Sequence, residues 1–162
     1  VSIHGDKSIH AINISIQHHL SFLKFMNPNS YLWVIIGSLS VASAILLGAY
    51  GAHGLEDTFA ETPRKERAWS NAVDYQMFHG LALVVIGFSQ KDNKRRRILS
   101  LTAWCQVIAW LLFCMSIYAW VFGGSIALIK ITPFGGNLFF ASWVLLAVHG
   151  FISLRESALN RK

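Results

Sequence analysis

Apolar residues in this chain are gathered into four blocks of roughly 20 residues, parted by charged clusters, and roughly 20 residues is the length at which a helix crosses a bilayer. Hydrocarbon offers a backbone no hydrogen-bond partners, so a crossing segment must satisfy its own N–H and C=O groups in a helix or a closed barrel. The alternating ten-residue segments of a barrel are absent. An all-α integral membrane four-helix bundle follows, with spans expected at about 31–52, 72–89, 98–122 and 134–154. The chain has 162 residues, 54% of them hydrophobic and 14% charged, which leaves room for one domain and is far from the balance of a soluble protein.

The net charge of +6 would suggest nucleic acid in a soluble chain. Here the basic residues flank the apolar blocks, so they are read as topogenic and no nucleic-acid partner is expected. Four spans place the N-terminal segment, the run Lys91–Arg97 and the C-terminal segment on one side, with ten lysines and arginines against four on the other. That side is read as cytoplasmic, with both termini on it. Lys94–Arg97 could also meet anionic lipid, although topology alone accounts for the run.

Residues 1–25 read differently from the rest. Ile9, Ile12, Ile16, Leu20 and Leu23 form one stripe, as an interfacial helix would, but only Lys7 and Lys24 would draw it to a membrane. A presequence is the second option; Asp6 and the lack of arginine are unlike one. The third suits the residues best: Val1 is an alternative start codon written literally, initiation is at Met26, and residues 1–25 are disordered or not translated. The membrane domain is then 26–162.

In the first span, opened by Asn29-Ser30, the small residues Ser40, Ala44, Gly48 and Ala52 recur every four positions, with Gly51 beside them. Such a stripe lets a second helix approach closely where lipid supplies no hydrophobic drive, and it is the expected seam of the bundle. Thr62-Pro63 is a helix start. Arg64 to Asn71, charged on most faces but holding Trp69, is expected to be a short interfacial helix between spans one and two. The second span opens with Asp74, Tyr75, Gln76 and His79, and Tyr75 and His79, four apart, share a face. Cys105 and Cys114 are nine residues apart, hence on opposite faces and about 13 Å apart along a helix, so they form neither a disulfide nor a metal site. Gly123-Gly124 ends span three and Pro133 opens span four.

Three motifs occur in one order: Gly48-Ala-Tyr-Gly-Ala-His-Gly-Leu55, then Trp69-Ser-Asn-Ala-Val-Asp-Tyr-Gln-Met-Phe-His79, then Thr132-Pro-Phe-Gly-Gly136 with Trp143. Over about Tyr31 to Arg155 the chain resembles the YgdD/YwdK-like family of small four-span inner-membrane proteins, whose animal relative is transmembrane protein 256. The resemblance implies fold and location, the location being a bacterial inner membrane, or the mitochondrial inner membrane in a eukaryote. It implies no activity, because that family is itself a domain of unknown function.

Chemistry concentrates at one end of the predicted bundle. His53 and His79 could together ligate haem or a metal, with Gly51, Gly54 and Gly80 leaving room for a flat ligand. No CxxCH, HExxH or third ligand accompanies them, so no cofactor is expected and a hydrogen-bonded structural role is favoured. Asp74 is read as a headgroup-layer residue before a proton relay. Tyr75, Gln76 and His79 could hold a quinone or lipid headgroup at the mouth of an apolar cleft. His149 is read as a core or interface residue. Nucleophile elbow, phosphate loop and paired carboxylates are all missing, and no inverted repeat marks a transporter. The preferred function is a non-enzymatic component of the lipid bilayer that packs, as a homo-oligomer or in a larger membrane complex, through small-residue faces. The alternative is a ligand-binding protein with His53, Asp74, Tyr75, Gln76 and His79 at its outer face.

Overall fold

A computed structural model describes residues 28–90 and 96–161, together with Ile16. The expected extension 1–25 and most of Lys91–Arg97 lie outside the described residues. Helix α1 runs Pro28–Gly54, α2 Glu56–Glu61, α3 Pro63–Ser89, α4 Arg96–Trp110, α5 Ser116–Val121 and α6 Thr132–Leu159. A π-helical turn, Leu111–Met115, joins α4 to α5, so Arg96–Val121 is one rod with a single widened turn. Among the described residues, four helices are therefore long and apolar enough to cross a membrane, as the apolar blocks require.

Arg64–Asn71 does not form a separate interfacial helix: with Pro63 supplying the first-turn φ, α3 continues unbroken from Pro63 to Ser89. The short helix between the first two spans is α2. The charged first turns of α3 are held at the bundle end by other means. Lys65 Nζ donates to the carbonyl of Val121 at 3.3 Å, and Arg64 and Lys65 each lie 5.8 Å from the centre of a Trp120 ring. A cation over an indole face contributes about 0.5–1 kcal/mol at an exposed site. Ser30, read as opening the first span, sits inside α1 and is buried.

Glycine sets how the helices meet. A Cβ added at Gly37 of α1 would stand 2.5 Å from the carbonyl oxygen of Gly80 and 2.9 Å from the backbone nitrogen of Val84, so α1 and α3 touch backbone to backbone. Further along the seam, Ala44 is fully buried, Gly48 faces Val73 and Gly51 faces Trp69, while Ala52 is exposed. At 100° per residue a strict four-residue spacing drifts 40° per step, so the line of contact passes from Gly48 to Gly51. At the other end of the third span Gly123 takes φ +97, and the N–H of Gly124 bonds to the carbonyl of Ala119 at 2.9 Å, which closes the helix.

α3 is the central helix. It packs along α1, meets the α4–α5 rod, and reaches α6 through His79 and Phe139. α6 in turn packs along α4. The apolar core is split into two clusters. One holds Trp69, Ala72, Cys114, Tyr118 and Trp120; the other holds Trp33, Leu83, Ile86, Leu99 and Ala103.

Candidate functional site

Between the two apolar clusters lies a polar layer, halfway along the helices. Its hub is Gln76, 1% exposed. Gln76 Nε2 donates to Ser43 Oγ at 2.7 Å and to the carbonyl of Ser40 at 3.0 Å, and Tyr118 donates its hydroxyl to Gln76 Oε1 at 2.9 Å. Ser40 Oγ returns a bond to the Gln76 carbonyl at 3.4 Å and Ser43 Oγ donates to the Ser40 carbonyl at 3.0 Å. One amide thus joins α1, α3 and α5. A buried polar group left unpaired costs about 1–3 kcal/mol, so this closed set is what allows an amide at that depth.

His79 is tied just as fully, to other partners. Its Nδ1 lies 2.7 Å from the carbonyl of Tyr75, one turn back, and its Nε2 accepts from Trp143 Nε1 at 3.1 Å. A carbonyl at one nitrogen and an N–H donor at the other select the neutral ring with the proton on Nδ1. Phe139 stacks on the imidazole with centroids 3.5 Å apart. Tyr75 stacks on Phe113 at 4.6 Å and lies 5.6 Å from the His79 ring.

Beside these networks is a cavity of about 400 Å³, bounded by α1, α3 and α4. Its polar lining comes from Ser40, Ser43, Gln76, His79, Gln106 and Trp110, and its apolar lining from Ile36, Leu39, Leu83 and Val107. The serines and Gln76 are satisfied among themselves. Gln106 is fully buried, yet among the described residues neither its Nε2 nor its Oε1 has a partner, and the buried indole nitrogen of Trp110, one turn on, has none either. Both residues line the chamber, and together their buried side chains hold three N–H donors and one carbonyl acceptor that no described protein group satisfies.

The residues singled out in the sequence divide accordingly. Gln76 and His79 line the cavity; His53, Asp74 and Tyr75 do not. His53 is exposed in the last turn of α1. Asp74 lines a separate surface groove of about 620 Å³ with Glu56, Glu66, Phe59 and Trp69, where Gly48, Gly51 and Ala52 also lie. Among the described residues, no three or more His, Cys, Asp and Glu side chains are grouped to hold a metal ion. Cys105 and Cys114 are free thiols, and Cys114 Sγ donates to the carbonyl of Ala72 at 3.3 Å. Sequence reasoning passed over Gln106, Trp110, Ser43 and Tyr118. The available signal was Gln106, the only side-chain amide in the third apolar block.

The model of a protein family described as "protein of unknown function (DUF423)" matches residues 47–136. The chain belongs to the DUF423 family. Among its relatives, a UPF0382 membrane protein of Haemophilus influenzae is 39% identical over 77% of this chain and 96% of its own length. One of Staphylococcus haemolyticus is 33% identical over 74% and 95%, and YwdK of Bacillus subtilis, also a UPF0382 membrane protein, 31% over 72% and 93%. No solved structure matches. The DUF423 segment takes in Gln76, His79, Gln106, Trp110 and Tyr118, but ends short of Trp143 and begins after Ser40 and Ser43.

Proposed function

We propose that this membrane protein is a non-enzymatic binder of a small molecule, held within the bilayer in the cavity bounded by α1, α3 and α4. The observation that carries the reading is the pair Gln106 and Trp110, buried and unpartnered at the wall of a chamber whose size falls in the ordinary range for ligand sites. A packing role through small residues has less support, because Gly37, Ala44, Gly48 and Gly51 are already engaged by α3 within the chain. The bacterial membrane-protein relatives favour a bacterial inner membrane, and the charge count favours both termini cytoplasmic, which puts Trp69 and Trp120 at the outer face.

Native mass spectrometry of the full chain, released from the membrane in which it is expressed, tests the reading. A retained small-molecule adduct that is lost in the Gln106→Leu, Trp110→Phe double variant is the expected result. A wild-type spectrum free of any adduct beyond detergent would overturn it.

A further inference from the structure

The cavity walls restrict the chemistry of what can occupy them. Among the described residues its one lining side chain able to carry charge at neutral pH is His79, and both ring nitrogens of His79 are already bonded, to Tyr75 and to Trp143. A charged headgroup would therefore enter the middle of a bilayer with no counter-charge and no open imidazole nitrogen, which is strongly disfavoured. The open hydrogen-bonding capacity belongs to Gln106 and Trp110. It calls for oxygen acceptors for three N–H groups and a hydroxyl for the Gln106 carbonyl. These two residues lie four apart on α4, so their demands are spaced by one helical turn, about 6 Å.

The route in is lateral. Leu39, in the cavity lining, is 65% exposed on the lipid-facing side of α1. α1 touches α4 near its start, where Trp33 meets Trp104 edge-on at 5.2 Å. Beyond that, Ile36, Leu39 and Val107 line open space between the two helices. An apolar tail could lie in that slot while its head reaches Gln106.

Resting on the binding reading above, we infer that the ligand is an uncharged amphiphile whose head carries carbonyl and hydroxyl oxygens about one helical turn apart. A membrane quinone or quinol and a glyceride share that chemistry.

The test uses the full chain in phosphatidylcholine nanodiscs, with the thermal midpoint followed as decylubiquinol, dioleoylglycerol or oleate is added. The expected result is a saturable rise with at least one of the two neutral probes and none with the anionic oleate. Whichever neutral probe acts identifies the source. Trp110→Phe should shift the concentration required about tenfold, the loss of one hydrogen bond, and Gln106→Leu more. Should Gln106→Leu fail to fold, the conservative Trp110→Phe decides alone. Stabilisation by oleate, or an effect unchanged in the variants, overturns the inference. If neither neutral probe acts, a retained native adduct means that only the chemical class was wrong, whereas its absence means that the binding reading fails as well.

Discussion

Trp143 donates its indole N–H to Nε2 of His79 at 3.1 Å, and the opposite nitrogen of the same ring is taken by the carbonyl of Tyr75. This pair joins the last span to the central helix in the middle of the bundle. Trp143→Phe keeps an aromatic side chain, though a smaller one, and removes the donor, leaving His79 Nε2 unsatisfied. Interhelical hydrogen bonds in membranes average about 0.6 kcal/mol and reach about 1.7. Unfolding followed in detergent should show a loss within that range, and a larger one for His79→Ala, which also removes the stack on Phe139. Equal midpoints for wild type and Trp143→Phe would contradict the geometry.

Gln76→Leu should be among the most damaging single changes. It unpairs the Tyr118 hydroxyl and removes the donor to Ser43 in one step, at about 1–3 kcal/mol for each buried group left without a partner. Tyr118→Phe, which removes one bond and keeps the ring, should cost less. The reverse order in a denaturation series would mean that Gln76 is not the hub.

Gln106→Leu is expected to behave in the opposite sense. Neither polar atom of Gln106 has a partner within the protein, so an apolar side chain of similar volume removes a desolvated amide and should raise the stability of the ligand-free protein. The same variant should lose the ligand. A destabilised Gln106→Leu would show that the amide has an internal partner after all.

Close helix contact makes a fourth prediction. Gly37→Ala sets a methyl group against the backbone of Gly80 and Val84, which cannot rotate away. Overpacking of this kind costs about 1–3 kcal/mol. Gly150→Ala, with nothing within 4 Å of the added atom, is the control and should change little.

Much of this architecture could be read in the chain because length and hydropathy act locally: a block of roughly 20 apolar residues has few other fates. The same local logic found Pro63 and Gly123. It misplaced the short helix, since Arg64–Asn71 looks interfacial by composition, whereas Lys65 and Arg64 use Val121 and Trp120, more than 50 positions away, to stay in line with α3. The site was legible only in part for a similar reason. Gln76 and His79 drew notice as polar residues near a span start, but their partners Ser40, Tyr118 and Trp143 come from other helices. Periodicity records which face of a helix a residue is on and says nothing of the neighbour it meets there. Gln106 is the one side-chain amide of its apolar block, and only the packed bundle shows that no group among the described residues reaches it.

The indole resonance of Trp110 tests the central claim most directly. With tryptophans labelled by ¹⁵N and Trp110 assigned by its loss in Trp110→Phe, spectra are compared before and after native lipids are stripped from the protein. The account predicts a hydrogen-bonded, slowly exchanging N–H beforehand that shifts and exchanges faster once the cavity is emptied. An N–H that is identical in both states would contradict it.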